Sequence, residues 1–277
     1  MVSKLNNKYR PFSIILVLLL TGQNSHAAGS NDSITKKESP LKMAGFPLLG
    51  YTPETRIMGG IFMHLLYTGA LGSHNSGIGL FTGISQNKQY TLNLQPDIWW
   101  SENKYHLLGD LKLQYWPDKF YGLGNETRDS LRENYTSRVQ GVKLDLFRQI
   151  GSDLYAGPLL EIEHNNIIEY DDSPYADLPA GKIPGSDQSF IAGMGFVIAL
   201  DSRNHVLYPA EGIFHQLRVV YFRNFEGAQS GYLKTIVDLR KYMALGGDHI
   251  LRFQVYGKFQ FGSDIPFRNL SMLGGKR

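Results

Sequence analysis

The stretch "LRFQVYGKFQF", Leu251 to Phe261, decides the fold. Leu251, Phe253, Val255, Gly257, Phe259 and Phe261 fall on one face of an extended chain, and Arg252, Gln254, Tyr256, Lys258 and Gln260 on the other. Successive side chains of a strand point to opposite faces, so this strict period of two predicts a strand with one apolar and one polar side. The same pattern recurs in "LGDLKLQYW" (Leu108 to Trp116) and in "LKTIVDLRKY" (Leu233 to Tyr242), where Lys234, Asp238 and Arg240 alternate with Leu233, Thr235, Val237 and Leu239.

Turn signals separate these runs: "SENK" at Ser101 to Lys104, "GSD" at Gly151 to Asp153 and "GGD" at Gly246 to Asp248. Longer polar connections are expected at Pro117 to Asn134 and at Tyr170 to Gln188. About ten strands follow, over 55–67, 76–86, 89–100, 104–116, 134–149, 153–170, 188–200, 212–224, 230–243 and 248–262. Several exceed the five or six residues usual in globular sheets and reach the roughly 9 to 11 that a tilted strand needs to cross a bilayer. Long antiparallel strands, short turns alternating with longer loops, and aromatics near strand ends (Trp99, Trp100, Tyr115, Trp116) describe a transmembrane β-barrel. A secreted soluble β-protein would show the same alternation with its apolar face turned into a core. The barrel is favoured because the polar faces carry Lys, Asp, Arg and Gln at nearly every position, as a wet lumen tolerates, and because no second family of short strands offers a facing sheet.

Composition agrees with an all-β protein: 42% hydrophobic and 19% charged residues, with 30 Gly, 16 Tyr and 15 Phe. The net charge is +3, and the Lys and Arg residues are dispersed, so no nucleic-acid partner is expected. There is no cysteine, which removes disulfides, thiolate metal sites and a cysteine nucleophile together.

Lys4, Lys8 and Arg10 precede the apolar run Phe12 to Leu20, and Ser25 and Ala27 occupy the small-residue positions of a cleavage site. This predicts a cleaved secretory signal peptide over 1–27; the run is too short for a spanning helix, which takes about 20 residues. Residues 28–45 read as a flexible tail, and 46–277 as the β-domain. The chain carries no phosphate loop, no H-E-x-x-H and no G-x-S-x-G, and its histidines do not pair at i, i+4. No enzyme is expected, and no catalytic, cofactor-binding or metal residue is assigned. The Gly pairs at 122/124 and 193/195 read as structural, and Asp171 and Asp172 as solvated loop carboxylates.

One hairpin is more specific. In "GFVIALDSRNHVLYPAEGIFHQLRV" a strand ends at Asp201, a turn holds Ser202, Arg203 and Asn204, Pro209 stops pairing and Gly212 opens the next strand. An Asp and an Arg two residues apart can bond the turn backbone or each other. The pattern D-S-R-N-x-x-x-Y-P-x-x-G, carried by Asp201, Ser202, Arg203, Asn204, Tyr208, Pro209 and Gly212, resembles the hairpin signature of the bacterial surface antigen family, the outer-membrane barrels of BamA and TamA type. Pro47 to Gly60 resembles that family's first strand entry and Phe120 to Thr127 its early barrel loop. "DIPFRNLSMLGG", Asp264 to Gly275, resembles its approach to a large inward loop, with Gly274 and Gly275 as the paired glycine.

The resemblance covers roughly 46–277 and implies a Gram-negative outer-membrane location. It further implies a role in membrane protein or lipid assembly or export, with outer-membrane lipid and other outer-membrane or assembly proteins as partners. A passive pore or structural surface antigen is the alternative, and a soluble secreted β-protein with a ligand cavity the second. The family's client-capturing POTRA modules have no room here, and its R-G-[FY] motif, expected just after Gly275, does not appear unless Arg277 begins it. Ten strands of a sixteen-stranded type imply an incomplete barrel that does not insert as a stable monomer, because an open edge in lipid leaves unpaired backbone groups.

Overall fold

A computed structural model of the chain describes residues 14–17, 41–52, 55–68, 74–124, 132–170, 176–206, 208–226, 230–247 and 249–271. They form a single antiparallel sheet of twelve strands in strictly sequential order, each hydrogen-bonded to its neighbours in the chain. The strands are β1 (Ile14–Val17), β2 (Leu41–Thr52), β3 (Arg56–Tyr67), β4 (Ser76–Ser85), β5 (Tyr90–Trp100), β6 (Tyr105–Phe120), β7 (Glu133–Gln149), β8 (Leu154–Tyr170), β9 (Gln188–Asp201), β10 (Gly212–Asn224), β11 (Gly231–Gly246) and β12 (His249–Gly262). The sheet is open: among the described residues its edge strands β1 and β12 do not pair with each other.

The ten strands expected from periodicity are β3 to β12. Two were not expected. β2 takes in Leu41 to Gly45, where a flexible tail is expected from the sequence, and pairs with β3 from Leu41↔Tyr67 to Thr52↔Arg56. Its Gly45, Pro47 and Gly50 dilute the alternation, so the pattern alone does not declare a strand. β1 lies inside the apolar run read as part of a signal peptide and pairs with Leu48 to Tyr51 of β2. The rest of the segment 1–27, and the tail up to residue 40, lie outside the described residues.

The long loop expected from Pro117 is shorter than the sequence suggested. Pro117 to Phe120 continue β6 and pair with Thr136 to Glu133 of β7. Antiparallel alternation then puts the connections at 101–104, 150–153, 202–211 and 247–248 on one rim. Those at 121–132, 171–187 and 225–230, with the segment after β12, fall on the other.

The two faces differ as the alternation requires. The convex face carries Met194, Phe196, Tyr221, Phe253, Val255, Phe259 and Phe261, all exposed, Met194 to 73%. So large an apolar surface does not suit water. The concave face is not uniformly polar. Phe147, Leu159, Ile191, Val197, Ala199, Val220, Phe222 and Tyr232 pack there as a buried cluster, and ionic groups share the wall with it.

Candidate functional site

The concave wall between β7 and β11 holds a connected ionic network. Arg218 of β10 forks onto both oxygens of Asp145 on β7 and donates to Glu161 on β8 at 3.2 Å. Lys234 of β11 donates to the other oxygen of Glu161 at 2.5 Å. Strands lie about 4.8 Å apart, so β8 and β11 are separated by about 14 Å along a flat sheet. Contact at 2.5 Å needs both side chains to lean across β9 and β10 over a curved wall. β9 permits this because it presents Gly193 and Gly195 there. The Phe222 ring lies over Gly193, and a Cβ on that residue would come within 2.6 Å of it. Toward the short-turn rim, Asp238 accepts from Arg240 and Gln254, and His106 stacks on Trp99 at 3.6 Å while bonding Asp97 at 2.8 Å.

After β12 the chain folds back over this face as a strap, residues 263–271, with one 3-10 turn at Phe267–Asn269. Its anchors lie on β6, β7, β8, β12 and the β8–β9 connection. The Phe267 N–H donates to the Pro184 carbonyl at 2.9 Å, and the Phe267 ring meets Phe120 and Tyr135 edge-on at 5.2 and 5.6 Å. Arg268 donates to the Tyr135 hydroxyl at 2.6 Å and to Asp118 at 3.3 Å. Asn269 donates to Glu163 at 2.9 Å, and its carbonyl accepts from Gln260 at 2.9 Å. Leu178, from the β8–β9 connection, completes the apolar cluster beneath Phe267. Within the stretch expected to approach an inward loop, residues 264–271 lie against the concave wall. Gly274 and Gly275, expected to mark that loop, lie outside the described residues, as do Arg277 and the Asp171/Asp172 pair.

The hairpin signature is assembled as one self-bonded unit on the short-turn rim. Arg203 grips Asp201 through Nε at 2.7 Å and through a terminal nitrogen at 2.6 Å, and reaches the Val206 carbonyl at 3.2 Å. The hydrogen bonds it donates to Asp201 lift the Arg203 guanidinium above its ordinary pKa, against the opposing effect of burial. Arg203 and Arg240 both lie over the Phe214 ring. The Asn204 side-chain Oδ1 accepts the N–H groups of Ala210 and Glu211 at 3.0 and 3.3 Å. Pro209 is buried. Gly212 has φ +105°, and a Cβ there would approach the Ser202 carbonyl to 2.3 Å, so only glycine fits. Asp201, Ser202 and Arg203 also line a polar cavity of about 330 Å³ with Asn103, Gln149 and Asp153.

Periodicity placed the charged residues on one face but did not bring Asp145, Glu161, Arg218 and Lys234 together. Their meeting depends on which strands curve toward each other. Phe267, Arg268 and Asn269 lie within Asp264 to Gly275, and a Phe-Arg pair directly after Pro266, four residues beyond the end of β12, is the local signal available. Among the described residues no group of three or more His, Asp or Glu is placed to hold a metal ion.

An open, curved, one-chain antiparallel sheet of long strands, apolar on its convex face and carrying ionic groups beside an apolar cluster on its concave face, is the wall of a β-barrel of the outer-membrane type. The Omp85 superfamily domain matches residues 72–277, and the chain belongs to that superfamily, which includes the surface antigen barrels of BamA type. Eight solved chains match it. One is BamA from Haemophilus ducreyi lacking POTRA domains 1–3, at 14% identity and a TM-score of 0.52, over 86% of this chain and 45% of that one. The chain thus spans under half the length of that structure, and the likeness is one of fold. No curated protein matches it.

Proposed function

We propose that this protein sits in the outer membrane of a Gram-negative bacterium and works in the assembly or translocation of membrane proteins or lipids. The observation that carries the reading is the strap. Residues 264–271 leave the last strand and bind the inner wall through Phe267, Arg268 and Asn269, so the face turned from lipid is a worked surface and not only a wet lining. The convex apolar face supplies the lipid contact. The signal peptide reading fits this location, and cleavage after Ala27 would remove β1 and leave β2 as the first strand.

Crosslinking tests the role. A photoreactive group at Leu270 or Gln260 in cells should trap nascent outer-membrane proteins or lipid precursors, and trapping of neither would overturn the reading. A passive pore is the second reading, favoured by the charged concave wall; steady conductance in planar bilayers with no crosslinked client would select it.

A further inference from the structure

Asn165 of β8 is 1% exposed, and neither its Nδ2 nor its Oδ1 has a hydrogen-bond partner among the described residues. It lies on the concave face between Glu163 and Ile167, in register between the buried Val139 of β7 and Ser189 of β9. A buried carboxamide with nothing to bond costs free energy that a leucine of similar shape would not. Neither the anchors of the strap nor the ionic network of the wall uses it.

The strap closes over this residue from three sides. Toward one end of β8, Asn269 donates from Nδ2 to Glu163, two residues before Asn165 on the same face. Toward the other end, Phe267 shares a buried cluster with Ile167, two residues after it. Across the sheet, a Cβ on Gly185 would stand 2.8 Å from the Pro266 Cβ and 3.6 Å from the Ser189 Cβ, so Pro266 lies beside the residue directly opposite Asn165.

A further unpaired atom belongs to this enclosure. Asn269 Oδ1 is buried and has no hydrogen-bond partner among the described residues. The orientation of that amide is fixed, because a carboxylate only accepts: Nδ2 must face Glu163, which leaves the oxygen in need of another donor. The Asn165 amide, with N–H groups to give, is buried close by without touching it. Ser189 brings a hydroxyl to the same face. A buried gap bounded by unpaired donors and acceptors, too wide for a direct bond, is where proteins hold an internal water, which makes about three hydrogen bonds there.

We propose that one internal water molecule is bound between Asn165 and Asn269. It accepts from Asn165 Nδ2 and donates to Asn269 Oδ1, with its second proton directed to the Ser189 hydroxyl oxygen. Asn165 is then a positioning residue for the strap, which it touches only through this water. Amide exchange on the full chain in detergent micelles tests the role. Asn165→Ser and Asn165→Ala differ by one hydroxyl and little in volume, and exchange at 264–271 should be about tenfold faster in N165A than in N165S, with β6 and β7 equally protected in both. Asn165→Leu decides the sign. Leucine relieves a carboxamide that is merely unpaired and would slow exchange in the strap, whereas loss of a water bridge strands Asn269 Oδ1 and should quicken it. Should N165L lose protection throughout the sheet, the comparison of serine with alanine still decides. A crystal structure of the protein should show an ordered water within hydrogen-bonding distance of Asn165 Nδ2 and Asn269 Oδ1. Slower strap exchange in N165L, equal exchange in N165A and N165S, or a direct bond between the two side chains in the crystal would overturn the proposal.

Discussion

Lys234 on β11 and Glu161 on β8 meet at 2.5 Å across two intervening strands, with side chains 11% and 6% exposed. The pair fixes the curvature of the sheet at its middle. Removing one partner leaves a buried charge unpaired, which costs about 3 to 5 kcal/mol where burial is complete. Glu161→Ala should therefore lower stability by about 3 kcal/mol in urea unfolding of the micellar protein. Replacing both partners, E161L with K234M, should recover most of that loss, since the apolar pair leaves no charge behind.

The hairpin signature should behave as a folding unit. Arg203→Lys loses the forked grip on Asp201 and should cost about 1 kcal/mol. Gly212→Ala should cost more, because it meets both the left-handed backbone and the Ser202 carbonyl. Thermal denaturation of the two variants ranks them. The sign of the pH response follows from the raised pKa of Arg203: its contribution is complete below the ordinary arginine value and is lost only as pH rises through the higher folded value. Between about pH 7 and pH 10 the arginine side of the pair should leave the hairpin's stability unchanged.

The strap should come away without unfolding the sheet. Phe267→Ala removes a buried ring from between Phe120 and Tyr135, a change that costs about 3 to 5 kcal/mol in a closed core. Here the local segment can detach instead, so amide exchange should accelerate at 264–271 while β6 to β9 keep their protection. Equal acceleration throughout the sheet would show that the strap is part of the core.

On the convex face, Val255→Arg should impair folding into liposomes by about 2 to 4 kcal/mol if the position lies near the bilayer midplane. Gln254→Arg, one residue away on the concave face, should be tolerated far better. Folding yield into phosphatidylcholine vesicles, read by protease protection, separates the two.

Much of this was legible because a strand writes its faces into its sequence. The alternation of Leu251 to Phe261 showed β12 and its outward face, and the turn residues at 101–104 and 247–248 marked one rim of the sheet. β2 stayed hidden because Gly45, Pro47 and Gly50 break the pattern while pairing with β3 sustains the strand. The site divides in the same way. Asp201 and Arg203 are two residues apart, so their pairing could be foreseen. Arg218 and Asp145 are 73 apart and meet only when three strand steps curve into one wall. The buried aromatics Phe147 and Phe222 on that wall belong to the same class of surprise, since alternation names a face but not what fills it.

The absence of cysteine makes the central claim directly measurable. Single replacements along β12, Phe253→Cys, Val255→Cys and Phe259→Cys against Arg252→Cys, Gln254→Cys and Lys258→Cys, can each carry a fluorophore in outer-membrane vesicles. Lipid-bound nitroxide should quench the first three and a water-soluble quencher the second three, giving a period of two along the strand. Quenching of all six by the water-soluble reagent, with the protein recovered free of membrane, would contradict the account.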